Sequence, residues 1–392
     1  MEVLISGAGI AGLTTAYWLR RYGFNPTIVE RANSLVVGGY KIDVRGTALE
    51  VLQRTGIHED VVAASTQMQG AMLVDRDGNV IGNMSGDEFG HRVGEDLEIV
   101  RGTLCEILMS QTKDVETIFG DSVATIAQSA DGAAVTFTKG GTRSFDLVIG
   151  ADGLHSNVRQ KVFGDEAQFL HNLGMYLCVF SVPNYMNLDR VEVQYSEVGR
   201  VAAVWSTRDD PDAKACFGFA APAFSIDLRD RDQQEQALKT VYEGIRWEVP
   251  HLLELMPQAT DWYFDTAAQI DMPEWTRGRV ALVGDAAYCA SPMSGQGSSL
   301  ALIGAYVLAG ELAARSDDRQ AAFAEYHRVM RPYVSVNQQL GRQSAAFMTS
   351  GAPETPAELS GDVIESVIDS TTDRITDAAN AITLKDYSTF IT

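Results

Sequence analysis

Residues Glu2 to Glu30 read EVLISGAGIAGLTTAYWLRRYGFNPTIVE. EVLIS has the length and apolar content of a short buried strand. GAGIAG follows, a G-x-G-x-x-G pattern at Gly7, Gly9 and Gly12. LTTAYWLRRY reads as a helix that Gly23 closes in the left-handed position beyond its last turn. PTIVE (26–30) reads as the next strand. Strand, glycine turn, helix and strand in this order begin a parallel α/β unit that cradles a dinucleotide. Gly7 permits the tight turn, Gly9 lets a diphosphate approach the backbone, and Gly12 lets helix and strand pack closely. Glu30 ends the second strand about 20 residues on, where a carboxylate bonds a ribose hydroxyl. It would repel a 2′-phosphate, so the pattern admits FAD or NAD here and disfavours NADP. Arg31, the next residue, faces either the adenosine or solvent.

Two further stretches extend the pattern. DLVIGADGLHSNVR, Asp146 to Arg159, reads as a buried strand, a turn at Asp152-Gly153, and a helix beginning near Ser156 and Arg159. GDAAYCASPMSGQG, Gly284 to Gly297, lies between the apolar runs RVALV and SSLALIGAYVLAG. It puts one carboxylate, Asp285, and a loop with Pro292, Gly295, Gln296 and Gly297 between two segments that must be buried. Such a loop is either a plain strand–turn–helix connection or is shaped around a ligand. In EIVRGTLCEILM, Arg101 opens a helix.

Together the three motifs resemble those of the flavoprotein aromatic hydroxylases, the p-hydroxybenzoate hydroxylase-like FAD monooxygenases. The resemblance runs over roughly residues 2 to 345. GGYKIDVRGTALEVLQRTGI (38–57) and the long C-terminal helical segment are similar to those of tetracycline-inactivating monooxygenases and polyketide-tailoring hydroxylases. The resemblance implies non-covalent FAD, with NAD(P)H as a transient reductant, and no second G-x-G-x-x-G offers a separate nicotinamide domain. It implies that Asp285 bonds the ribityl chain and that the helix starting near Gly297 aims its N-terminus at the flavin's pyrimidine edge. A reduced, anionic flavin suits such an end. It further implies that Arg101 contacts FAD near the pyrophosphate or ribityl, and that Asp152 and Arg159 serve FAD or NAD(P)H. Arg45, in GGYKIDVRG, is a candidate for touching flavin or substrate, or a surface residue. The expected reaction is insertion of one oxygen atom from O₂ into an aromatic or polycyclic small molecule through a flavin C4a-hydroperoxide, with the cofactor carrying the chemistry. A halogenase or prenyl reductase on the same cradle is an alternative, although PEWTRG (273–278) lacks the W-x-W-x-I-P spacing of halogenases. A non-catalytic FAD and ligand binder is another.

The expected architecture is α/β: a Rossmann-like FAD-binding domain of the GR2 type, an inserted β-sheet substrate domain and a C-terminal helix. The FAD domain is drawn from 1–71, 98–172 and 265–350, the substrate domain from 72–97 and 173–264, and the helical segment from 351–392. AMLVDRDGNVIGNM reads as a hairpin turning at D-G. VEVQYSEVGRVAAVW and ACFGFAAP alternate like strands with one apolar face. Gln194, Trp205, Phe217 and Phe219 are candidates for facing the substrate. From Pro353 the tail reads as a helix with Leu359, Val363, Ile364, Val367 and Ile368 on one stripe, bracing the two domains or joining two copies of a monomer-or-dimer protein.

Bulk properties exclude other classes. With 31 basic and 52 acidic residues the net charge is −21, which repels nucleic acid and acidic membranes. Four cysteines are scattered with no C-x-x-C pair, and six histidines show no metal spacing. A reduced, cytoplasmic protein is expected. The apolar run Leu300–Ala309 is short of the ~20 residues of a membrane span and reads as a buried helix.

Overall fold

The computed structural model describes residues 1–220, 226–350 and 361–392. A six-stranded sheet organises the nucleotide-binding part. Its order is β17 (Thr276–Arg277), β18 (Val280–Leu282), β11 (Leu147–Gly150), β1 (Glu2–Ser6), β2 (Asn25–Glu30) and β7 (Glu116–Phe119). The strands from β18 to β7 are parallel, and β17 is an antiparallel edge. Sharing the same core is a small sheet of β8 (Val123–Gln128), β9 (Ala133–Phe137) and β10 (Thr142–Phe145). A ribbon pairs β3 (Lys41–Val44) with β6 (Leu97–Val100).

Helices α1 (Ile10–Arg21) and α10 (Gly297–Ala314) are apolar nearly all round, because each is enclosed by its neighbours. They pack on each other, and α10 also meets α2 (Thr47–Thr55) and α11 (Arg319–Ser350). Short helices α3 (His58–Ala63) and α4 (Gly86–Gly90) and the longer α5 (Arg101–Ser110) complete the N-terminal third. Helix α10 is longer than the apolar run read from sequence. Its 18 residues are long and apolar enough to cross a membrane, but 78 % of them are buried inside the protein. The helix extends because Glu311 finds polar partners there: the Lys385 ammonium at 2.7 Å and the Tyr387 hydroxyl at 2.6 Å.

A seven-stranded sheet forms the second layer, in the order β16 (Trp262–Ile270), β12 (Leu170–Pro183), β15 (Asp212–Ala220), β14 (Arg200–Ser206), β13 (Val191–Glu197), β4 (Gly70–Val74) and β5 (Val80–Ser85). The β4–β5 hairpin is the one read from VDRDGNV. Asp75 fixes its turn by accepting from the Asp77 and Asn79 amides, both at 2.9 Å. Strand alternation gives this sheet two different faces. Tyr176, Cys178, Phe180, Phe217 and Phe219 pack under α7 (Arg231–Val241) and α8 (Val249–Leu255), with Leu238, Tyr242 and Leu252. Residues of the opposite parity, among them Val179, Ala203, Trp205 and Cys216, form a separate small cluster with Tyr40 and Tyr263.

Helix α6 (Asn157–Val162) follows β11, the single turn α9 (Asp285–Tyr288) follows β18, and α12 (Gly361–Ala379) runs beside α11. Residues 353–360 of the tail helix read from sequence lie outside the described residues. The described part of the tail touches α11, α2 and the segment after α4. Asn337 donates to Ala378 O at 3.2 Å, Thr47 donates to Ile382 O at 3.1 Å, and Thr372 bonds His91 at 2.9 Å.

Candidate functional site

Four adjacent parallel strands end together, and each end carries one of the motifs. In register, Ser6 lies opposite Gly150 and Val29, and Gly150 opposite Leu282. At or just beyond these ends stand Gly7, Ala151-Asp152, Glu30 and Gly284-Asp285. Segments far apart in the chain thus converge on the carboxyl edge of the sheet, where open α/β sheets bind their ligands.

The glycine turn leaves no room for side chains. A Cβ on Gly7 (φ +107°) would stand 2.5 Å from Ala151 O, and one on Gly12 would stand 1.9 Å from Gly7 O. Helix α1 starts at this turn with Gly9 as its cap, no side-chain cap bond and no acidic residue in its first turn. Its free N–H groups are therefore open to an anion. Glu30 braces the turn from below, accepting from the Ala8 amide at 2.9 Å and the Ala32 amide at 2.8 Å. Arg31 stands exposed beside it.

Arg101 opens α5, anchored by its own N–H to Tyr40 O at 3.0 Å. Its guanidinium reaches over the turn, 3.3 Å from where a Gly9 Cβ would lie. Burial would lower its pKa, but the side chains of Cys105, Tyr40 and Asp285 offset this and raise it. Asp285 is the counterpart. Burial raises its carboxyl pKa, while a Cys289 hydrogen bond and the Arg101 charge oppose the rise. Gly284 (φ +65°) lets the loop lie directly on α1: its Cβ would stand 2.9 Å from that of Ala11. Beyond it, Pro292–Ser294 form a tight 3₁₀ turn, Gly295 takes φ +63°, and Gln296 precedes Gly297 at the start of α10. Gln296 is 0 % exposed, and neither its amide oxygen nor its amide nitrogen has a partner. A buried amide with both ends unpaired is a site waiting for a polar ligand. With the glycine cradle, Arg101 and Asp285, it fits FAD.

Other candidates take other parts. Asp152 closes its own turn: it accepts from the Ser156 hydroxyl at 2.5 Å and the Val158 amide at 3.0 Å, capping α6. Arg159 is corrected to an internal strut. It is fully buried, and its guanidinium donates to Ala286 O at 3.1 Å, Leu154 O at 2.7 Å and Glu166 at 2.6 Å, which ties the two strand-end turns together. Arg45 is corrected likewise. It is buried and donates to Gly90 O and His91 O, with Asp43 at 2.8 Å and Asp96 at 3.6 Å. Only its backbone N–H reaches the first turn of α10, at Ser299 Oγ, 3.3 Å. Phe217 and Phe219 are corrected to the far face. Both are fully buried under α7, where Phe217 packs edge-on against Tyr242 and Phe219 stacks on Tyr176. Trp205 lies on the near face, and strand parity puts Gln194 there too, since Val193 and Tyr195 belong to the covered layer.

The sequence reading missed three residues at the junction of the layers. Tyr40 and Tyr263 bring their rings within 5.2 Å. His155, inside the DG motif, is clamped between Glu166 at 2.9 Å and Asp265 at 3.2 Å. Hydrogen bonding to Asp265, opposed by burial and aided by Glu166, pushes its pKa up to about 9. The position of His155 in the motif was the one local signal; its partners are far away in sequence.

Comparison with known proteins agrees with this geometry. A family model described as "FAD binding domain" matches residues 1–337. The crystal structure of the tetracycline destructase Tet(55) superposes with a TM-score of 0.90 at 39 % identity, covering 98 % of both chains. That of Tet(51) gives 0.88 at 38 %, covering 98 % of this chain and 99 % of the other. A flavin-dependent monooxygenase of Legionella longbeachae is 37 % identical over 99 % of this chain and 98 % of its own length. The fold and cradle are those of a flavoprotein. The chain belongs to the FAD binding domain family and is a flavin-dependent monooxygenase.

Proposed function

We propose that this enzyme uses NAD(P)H and O₂ to insert one oxygen atom into a polycyclic aromatic, polyketide or tetracycline-like small molecule. The carrying observation is the convergence of the glycine turn, Glu30, Arg101, Asp285 and the unpaired Gln296 on one sheet edge, beside a second sheet whose near face carries the apolar cluster of Trp205, Tyr40 and Tyr263. FAD, when bound, supplies the redox chemistry.

The chain's own residues bind and orient. Gly7, Gly9, Gly12 and the first turn of α1 would take the diphosphate, and Glu30 a ribose hydroxyl. Arg101 and Asp285 would hold the run from phosphate to ribityl. Gln296 and the N-terminus of α10 would meet the ring's polar edge, a position that favours negative charge. The near face, with Trp205, Cys216, Tyr40 and Tyr263, would keep water from the reacting atoms. The substrate class rests on the similarity to the tetracycline destructases. All four cysteines are free, which suits a reducing cytoplasm.

The test is an absorbance spectrum of the purified protein, then NAD(P)H consumption with a panel of polycyclic phenols that includes tetracycline. Bound FAD and consumption stimulated by at least one scaffold are expected. Protein that refuses FAD, or consumption indifferent to every scaffold, would overturn the reading.

A further inference from the structure

Three buried tryptophans, Trp18, Trp205 and Trp275, have an indole N–H with no hydrogen-bond acceptor. Buried donors are nearly always paired, so each exception needs a reason. Trp18 is stacked on Tyr22 and edge-on to Tyr306, and Trp275 is tilted against Tyr288 and Tyr326. Both sit among rings in the nucleotide-binding core. Trp205 sits elsewhere. It is 5 % exposed and packs with Val179 and Ala203 beneath half-buried Tyr40, Met68, Cys216 and Tyr263.

The surroundings of Trp205 fix its ring and connect it to the cradle. Ala202 and Val204 point into the covered layer, so Trp205 points out of it, on the side of Tyr40. The Lys41 ammonium lies 5.6 Å from the ring centre. Lys41 is itself held by Glu192 at 2.8 Å and Glu98 at 3.3 Å. Tyr40 is the link to the cradle, because its carbonyl accepts the Arg101 N–H at 3.0 Å. It follows Gly38 and Gly39, which take left-handed φ values of +73° and +99°, and the Gly38 carbonyl accepts the Gly102 N–H at 2.9 Å, so the backbone is held on α5 at Gly38 and at Tyr40.

We infer that Trp205 is the substrate-selecting residue of this site: its indole N–H donates to a carbonyl, phenol or enolate oxygen of a polycyclic ligand that displaces the Tyr40 side chain. The inference rests on the proposed monooxygenase function and adds the group that recognises the substrate. A ligand without an acceptor leaves the buried donor unpaired, which is the strongest form of discrimination a small site can exert.

The experiment uses the FAD-loaded enzyme with nitrogen-15 in its five indoles, the Trp205 signal being identified by its loss in Trp205→Phe. Tetracycline, 1,8-dihydroxyanthraquinone and naphthalene are titrated in, and NAD(P)H oxidation is read in parallel. The expected result is a downfield shift of the Trp205 N–H with an oxygen-bearing polycycle and none with naphthalene. Trp205→Phe, which keeps an aromatic ring but not the donor, should weaken that ligand's binding about tenfold and raise KM more than it lowers kcat. If a polycycle binds and is oxidised while the Trp205 signal stays put and Trp205→Phe binds as tightly, this inference falls and the proposed function stands. If a polycycle moves the signal but is never oxidised, the proposed function falls and Trp205 remains the recognition residue. A panel in which no compound moves the signal overturns the inference whatever the oxidation assay reads.

Discussion

Single residues carry the cofactor site. Gly12→Ala should be the most damaging small change, since the new Cβ would meet Gly7 O at 1.9 Å and neither backbone can yield without moving the turn. A cost of about 1–3 kcal/mol is expected for such overpacking. It should appear as a lower Tm together with loss of bound FAD, read from the ratio of visible to ultraviolet absorbance. Asp285→Asn should separate stability from binding. Burial already disfavours the Asp285 charge, so the neutral amide should leave the Tm of the apoprotein equal or higher. FAD affinity should fall about tenfold, as expected for one hydrogen bond to a charged group, measured by titration of the apoprotein. These residues were legible in the sequence because their constraint is local. A glycine with no room for Cβ, or a carboxylate at a strand end, declares itself by spacing alone. Phe217 and Phe219 were not legible, because a shift of one residue along a strand exchanges the two faces. Cys216 and Phe217 are neighbours in the chain and lie on opposite sides of the sheet.

Elements are joined by polar clamps whose partners lie far apart. The His155 clamp links the turn before α6 to β16 through Glu166 and Asp265. Its pKa is raised to about 9, so its contribution is fully present below the unfolded value near 6.5 and is lost as pH rises toward 9. Because the imidazole is 41 % exposed, the contribution is discounted to about 1 kcal/mol. Wild-type Tm should therefore decline over that window, with a flatter decline in His155→Gln. Arg45 ties β3 to the segment after α4. Arg45→Met would leave Asp43 and Asp96 short of a buried partner, at about 3–5 kcal/mol. Denaturant unfolding should register that loss, while protein that remains folded should still carry FAD. The sequence could suggest Arg45 and Arg159 as ligands, because an arginine beside a glycine turn has the right chemistry. It could not reveal that carbonyls at Gly90, His91, Leu154 and Ala286 already occupy them. The strands that carry the motifs, helices α1 and α10 and the β4–β5 hairpin were legible from pattern; β3, β6 to β10 and the tail's contacts were not.

At the scale of the whole molecule, the sequence order of the motifs prescribes a sheet, and the sheet brings their ends together. The net charge of −21 opposes compaction. Raising ionic strength from about 0.01 M to about 0.15 M shortens the screening length from about 30 Å to about 8 Å. The Tm of the holoenzyme should rise over that range, and an unchanged Tm would mean that the acidic residues are dispersed well enough not to repel. The claim that joins fold, cradle and near face is that one atom of O₂ enters the substrate. Turnover under oxygen-18 gas, with NAD(P)H and the scaffold that stimulates its consumption, tests this by mass spectrometry of the product. One labelled oxygen atom per product molecule is predicted. Unlabelled product, or hydrogen peroxide as the sole fate of the oxygen, would contradict it.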